Sequence, residues 1–301
     1  MSLQKERNGV HMTAWIIYFR NAAIYNKNYI QFYVEEGKKL GIHVRLILVE
    51  ELEFGIENSK WYIRVNEGNS PYPDFVINRA IYPLLSKQFE AMGIRVFNNS
   101  FVAEICNDKA KTYQYLAKTG IRMVDSFFYK NEQLPSVIKQ KLHKEELPLV
   151  IKAVDGHGGS QVFLLEASNE KTIGTILEGM KSSDVVVQPL TGSRYQDLRV
   201  YVIGREVIAG VLRTAKEGFK SNFSLGGEVC LYQLTEDERN IVDRIVREFD
   251  FDLVGIDFII GDQGELIFNE IEDVVGSRML YQCSDINIVE LYLRYIKSRM
   301  N

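Results

Sequence analysis

The sequence predicts an α/β domain of doubly wound type followed by two α+β lobes. Three observations predict it. Strand and helix periods alternate over the first hundred residues, the rhythm changes after residue 100 to strands flanking glycine-rich loops, and an acidic hairpin lies near the end. Residues 13–19 form an apolar run that reads as a buried strand, 29–40 an amphipathic helix ending at Gly41, and 43–49 a second strand. Such a βαβ unit expects parallel strands and a right-handed crossover. A third strand at 74–78, a helix at 82–92 stopped by Gly93, and a fourth strand at 94–97 complete a first domain over residues 1–105.

The middle block, 106–190, opens with a helix at 107–119, capped by Asn107 or Asp108 and stopped by Gly120. It continues with a strand at 123–129, a short helix at 134–142, strands at 149–153 and 161–166 around a glycine loop, a helix at 173–180 and a strand at 185–188. The last block, 191–301, is strand-rich: 198–203, 206–214, a polar loop to Gly227, a helix at 236–249, the two hairpin strands and a closing helix at 286–300.

Composition narrows the class. The chain has 301 residues, 46% hydrophobic and 25% charged, which suits a soluble globular protein of two or three small domains. A net charge of -4 argues against a nonspecific grip on nucleic acid. Cys106, Cys230 and Cys283 are odd in number and widely spaced, giving neither a disulfide framework nor a metal spacing, so a reducing cytoplasm is the expected home. No run of about eighteen apolar residues is present, so no membrane span or membrane partner is expected. Association into a homo-oligomer is left open.

The hairpin Gly255-Ile-Asp257-Phe-Ile-Ile-Gly-Asp-Gln-Gly-Glu-Leu-Ile-Phe-Asn269-Glu270-Ile-Glu272 carries the strongest chemical signal. Alternation sends Glu270 and Glu272 from one face, and Asp257 on the paired strand can join them. Three carboxylates so placed repel unless a cation lies between them, and oxygen ligands suit magnesium. Acids facing water from a strand edge are the competing reading. Lys152 ends an apolar strand before Gly156, Gly158, Gly159 and Ser160, a loop whose backbone N–H groups can approach an anion closely. A flexible hairpin loop would look the same. Lys109, in the first turn of a helix, opposes the dipole preference and is a second candidate phosphate cation. Gln188 and Pro189 end a strand whose backbone edge could read adenine. Asp197 and Arg199 share a strand face, and Arg213, Lys216, Lys220, Ser221 and Asn222 gather cations and polar groups in one segment, either a polyphosphate contact or a solvated loop.

In their order and spacing, Asn107-Asp-Lys109-Ala-Lys, the Val-Ile-Lys152 strand with its glycine loop, Asp197-Leu-Arg199-Val-Tyr-Val-Ile-Gly, Arg213 to Gly218 and Lys220-Ser221-Asn222 resemble the ATP-grasp superfamily, most closely its RimK-type branch of glutamate ligases. The resemblance covers residues 100–301. It implies an ATP-grasp fold whose two lobes clamp ATP. Lys109 and Lys152 would contact phosphates under the loop from Gly156 to Ser160, with Gln188 and Pro189 lining the adenine pocket. Asp197 would face the ribose, and Lys220, Ser221 and Asn222 would contact the nucleotide. Asp257, Glu270 and Glu272 would hold Mg2+, with Mn2+ as the other cation such ligands accept. Arg213 and Lys216 would serve the catalytic step, Arg213 facing the transferred phosphate.

Two departures stand out. Glu272 occupies the place of the family's asparagine, and Asp273-Val-Val-Gly276-Ser277-Arg278 replaces its Ser-Pro-Gly acceptor-side loop. The implied activity is ATP- and Mg-dependent ligation of a carboxylate to an amine through an acyl phosphate, the acceptor being a small molecule or a peptide and the amine an amino acid. An ATP-grasp small-molecule kinase and a non-catalytic ATP-binding module are the alternatives.

Overall fold

The computed structural model describes residues 12–66, 68, 71–159, 161–215 and 228–300. The chain clusters into two compact units, one of Met1–Ala103, Asp250–Leu253 and Ile286–Asn301, the other of Glu104–Phe249 and Val254–Asp285.

The first unit runs β1 (Met12–Tyr18), α1 (Arg20–Tyr25), α2 (Lys27–Lys39), β2 (Ile42–Leu48), β3 (Leu52–Glu57), β4 (Lys60–Val65), β5 (Phe75–Asn78), α3 (Pro83–Ala91) and β6 (Arg95–Phe97). Its main sheet is parallel throughout, in the order β2-β1-β5-β6. Parallel strands are covered on both faces, and the unbroken apolar runs of β1 and β5 are the mark of it: Trp15, Ile17 and Val76 are buried against Leu85 and Phe89 of α3. The β3–β4 hairpin was not anticipated. Its two-residue turn, Asn58-Ser59, has φ values of 51° and 61°, the mirror-image turn that matches strand twist. Charged residues along both strands masked the alternation.

The second unit begins within α4 (Ser100–Cys106), at Glu104, and continues with α5 (Lys109–Leu116). Asp108 is the cap, its carboxylate accepting from the Lys111 N–H at 3.0 Å. The helix is shorter than expected, ending in a 3-10 turn at Ala117–Thr119 before Gly120 at φ 67°. Then follow β7 (Phe127–Tyr129), α6 (Leu134–His143), β8 (Leu149–Ala153), β9 (Val162–Leu165), α7 (Glu170–Gly179) and β10 (Val185–Pro189). These strands form an antiparallel sheet, β7-β10-β8-β9, with Ile151 and Val187 packed on Ile138 of α6 and Ile176 of α7.

A five-stranded sheet, β13-β12-β11-β14-β15, completes the unit. It is built from β11 (Gln196–Ile203), β12 (Glu206–Thr214), β13 (Glu228–Tyr232), β14 (Leu253–Ile260) and β15 (Leu266–Glu272), with α8 (Glu236–Val246) and α9 (Arg278–Cys283) between and after them. Neither β13 nor α9 was expected. The strand expected at 123–129 forms only at its end, because Met123 bridges Phe268 and Phe268 donates its N–H to the Arg122 carbonyl at 2.9 Å. The closing helix, α10 (Ile288–Met300), belongs to the first unit, where Tyr292 meets Tyr33 of α2 with ring centroids 6.5 Å apart. No helix among the described residues is long and apolar enough to cross a membrane.

Candidate active site

The site grows from the hairpin register. Gly255 pairs with Glu272, Ile256 with Ile271 and Asp257 with Glu270, but the next pair is Phe258 with Phe268. Asn269 is therefore the extra residue of a β-bulge, a device that re-aims a side chain. Its Oδ1 accepts from the Lys152 ammonium at 2.8 Å. Asp257, Glu270 and Glu272 meet as expected, with one ligand oxygen from each lying within 4.8 Å of the others.

Four cations answer the acids. Arg199 grips Asp257 bidentately, Nε to Oδ1 at 2.7 Å and Nη2 to Oδ2 at 2.6 Å, and the same Nη2 lies 2.7 Å from Glu272 Oε1. Arg213 donates from Nη2 to Asp257 Oδ2 at 2.8 Å and from Nε to Asp197. Lys109 lies 3.3 Å from Glu270 Oε2 and donates to the Gly156 carbonyl, tying the glycine loop to the acidic hairpin. Lys109, Lys152, Arg199 and Arg213 thus match Asp197, Asp257, Glu270 and Glu272 in number. A buried network of this kind is held only by pairing.

Placement sorts their ionisation. Burial works against the charge of Asp257, yet Arg199 and Arg213 outweigh it and hold the carboxyl at about 2. Burial also opposes ionisation of Glu270, and Lys109 and Lys152 bring it below the usual carboxylate range. Glu272 goes the other way, burial raising it against Arg199, with Asp257 and Glu270 adding repulsion. Burial lowers Lys152 to about 8, with Glu270 opposing the fall and Lys109 assisting it. His157 is lowered by burial and by Lys109.

A cleft of ≈ 1050 Å³, counted out to its open mouth, collects most of the expected residues. Lys109, Lys152, Gly156, Gly158, Gly159, Gln188, Pro189, Asp197, Glu270 and Glu272 all line it. Gly158 and Gly159 have φ values of 64° and 74°, which side chains rarely tolerate. Asp257 and Arg213 are not among its lining residues and stand buried behind the glutamates. Gln188 turns its amide away, donating to Tyr113 Oη at 3.0 Å and Ser126 Oγ at 2.8 Å, so it offers the cleft its backbone. Ser160, Lys216, Lys220, Ser221 and Asn222 lie outside the described residues.

Sequence reasoning gave no role to Arg199, Asn269 or His157. Arg199 follows Asp197 by two residues on one strand face, a readable signal. Asn269 had none, since strict alternation points it away from Glu270 and only the bulge brings it round.

Comparison with known proteins is consistent with this geometry. The RimK-like ATP-grasp domain matches residues 106–296. A probable alpha-L-glutamate ligase 2 of Shewanella baltica is 31% identical over 219 residues, covering 71% of each chain. An uncharacterized protein of Mycoplasma genitalium is 25% identical over 279 residues, covering 91% of this chain and 88% of its own. Among solved structures, D-alanyl-alanine synthetase A of Vibrio cholerae superposes with a TM-score of 0.73 at 14% identity, covering 97% of this chain and 99% of that one. The ATP-grasp ligase PsnB, complexed with a precursor variant, Mg and ADP, gives 0.69 at 17% identity, covering 97% and 100%. Fold and relatives together define an ATP-dependent carbon–nitrogen ligase of ATP-grasp fold. Within that class, the chain belongs to the RimK-like ATP-grasp family.

Proposed function

We propose that this protein uses ATP and magnesium to convert a carboxylate to an acyl phosphate, which an amine then displaces to give an amide, with an amino acid and a small-molecule or peptide acceptor as substrates. The observation that carries this reading is the convergence of Lys109, Lys152, the glycine loop and the paired glutamates on one cleft. It has cations for phosphates and oxygens for a metal.

The donor set fits a hard cation. Glu270 and Glu272 keep 27% and 26% of their side chains exposed, whereas Asp257 keeps 1% and spends both oxygens on arginines. Glu270 and Glu272 would hold magnesium, with Asp257, which offers an oxygen within 4.8 Å of theirs, as the third ligand. When bound, the metal would neutralise charge on the transferring phosphoryl group. Lys109 and Lys152 would hold the phosphates, and a bound anion would restore full charge to the ammonium of Lys152. Backbone N–H groups of the loop from Gly156 to Ser160 would cover them and exclude water that hydrolyses an acyl phosphate. Gln188 and Pro189 would face adenine, and Asp197 the ribose. Arg213 would orient Asp257 in this arrangement; as the family resemblance implies, Lys216 would serve the catalytic step and Lys220, Ser221 and Asn222 would contact the nucleotide.

The test is phosphate release by the purified chain with ATP, magnesium and a panel of amino acids and small peptides, L-glutamate first because relatives are named for it. A new amide by mass is the expected product. A stable phosphorylated compound would identify a kinase instead, and tight ATP binding without turnover of any substrate a nucleotide-sensing module.

A further inference from the structure

A strained aromatic residue stands in the wall of the cleft. Tyr195 closes the connection between β10 and β11, and its φ of 48° lies in the left-handed region, where a bulky residue is a steric outlier. It is also the one phenylalanine, tyrosine or tryptophan among the described residues that line the cleft. In the chain it falls between Pro189 and Asp197, which line the same cleft. For so large a side chain it is well exposed, at 39%.

The connection that presents this ring is braced along its length. Ser193 donates both its N–H and its Oγ to Asp262 Oδ1, in the turn between β14 and β15, at 2.7 Å each. Gly192 passes so close to β14 that a Cβ there would lie 2.6 Å from the Ile260 carbonyl oxygen. Beside β12, the Tyr195 carbonyl accepts from the Ala215 N–H at 3.1 Å, and the Gln196 side chain donates to Thr214 Oγ1 at 3.1 Å. Backbone strain persists only where the surroundings over-determine it, and such positions cluster at active sites and ligand clamps. Glycine or asparagine would take this conformation at lower cost. What tyrosine adds is a ring at the cleft.

We infer that the Tyr195 ring packs against the nucleoside of ATP and sets how tightly the nucleotide is held. This deepens the nucleotide part of the ligase reading and rests on it. Lys109, Lys152 and the glycine loop answer the charge of phosphates but give a base nothing to stack upon. An aromatic ring supplies that, because every base carries a π-face. A ring already fixed by its backbone loses little freedom when the nucleotide arrives, so more of the contact appears as affinity. The nucleoside is unchanged by phosphoryl transfer, and the contact is therefore equal before and during the chemical step. It serves binding rather than rate.

Three substitutions separate ring, hydroxyl and backbone. Tyr195→Phe keeps the ring, Tyr195→Ala removes it and keeps the strain, and Tyr195→Gly removes both. Calorimetric titration of the full chain with ADP and magnesium is expected to give an affinity within about threefold of the parent for Tyr195→Phe, and weaker by about tenfold or more for Tyr195→Ala and Tyr195→Gly alike. Because Tyr195→Gly relieves the strain, a loss it shares with Tyr195→Ala is loss of the ring and not of the fold. Affinity within about threefold of the parent in Tyr195→Ala, recovery of affinity in Tyr195→Gly, a loss in Tyr195→Phe as large as in Tyr195→Ala, or no binding of ADP to the parent would each overturn the inference. ATP-dependent phosphate release is measured in parallel, where the loss should appear in KM for ATP rather than in kcat. Amide formation with a KM for ATP untouched by removal of the ring sinks the stacking role alone, whereas ring-dependent ADP binding without turnover of any substrate sinks the ligase reading alone.

Discussion

Asp252 and Asp257 are five residues apart in the chain and both are buried, at 3% and 1% exposure, yet they hold their protons in opposite senses. In the first unit, burial pushes Asp252 up to about 7, since its arginine, Arg95, stands 3.9 Å away and a Tyr295 hydroxyl donates at 3.1 Å. In the second unit, burial opposes the charge of Asp257 just as strongly in kind, but two guanidinium groups donate three hydrogen bonds and hold it at about 2. Burial alone does not set the ionisation of an interior acid. The geometry of its cation does.

Removing that geometry should give the largest effect. Arg199→Met strips Asp257 of its bidentate partner and leaves buried charge, and the expected loss of folding stability is about 3–5 kcal/mol, read by urea unfolding at pH 7. A loss under about 1 kcal/mol would mean that Arg213 alone suffices. Next come the cleft-facing members of the network. Lys152→Ala and Glu270→Ala are expected to lower ATP turnover by about a hundredfold to a thousandfold, the scale of one lost charge-stabilising group, with the far-ultraviolet circular dichroism spectrum unchanged.

The raised acid gives a smaller effect with a defined sign. Asp252 titrates near 7 when folded and near its ordinary value of about 4 when unfolded. Between those values the folded state binds the extra proton, so its contribution falls as pH rises. From pH 5 to pH 7, wild type should therefore lose about 2 kcal/mol more stability than Asp252→Asn. Parallel pH profiles for the two proteins would show that Asp252 is already ionised and that the contrast with Asp257 is false. The mildest change is expected for Glu272→Asn, which removes one negative charge beside Arg199 while Asp257 keeps that arginine occupied. The magnesium concentration for half-maximal turnover should rise by no more than about tenfold, or about 1.4 kcal/mol.

Much of the site was legible because its signals are local. A strand that ends at Lys152 before three glycines, two glutamates two residues apart, and a lysine in the first turn beside Asp108 each show in a short window of sequence. The missed elements share a physical cause. The β3–β4 hairpin is highly charged along both strands, so its alternation was faint; β13 is a strand of exposed and half-buried residues with a weak apolar pattern. Asn269 was beyond reach because a bulge adds one residue and changes the side that a side chain faces.

The amino-acid order by itself determined the periodicities, the glycines at positive φ and the pair Glu270 and Glu272, because these follow from backbone sterics and the two-residue repeat of a strand. Only the tertiary structure decided which cation meets which acid. Arg199 and Arg213 come from neighbouring strands to meet Asp257, Lys152 reaches Asn269 across 117 positions of chain, and Arg79 settles among tyrosines drawn from β1, α2 and α10. Charges interact through space over a few ångströms, and the sequence separation of two groups says nothing of that distance until the sheets have formed.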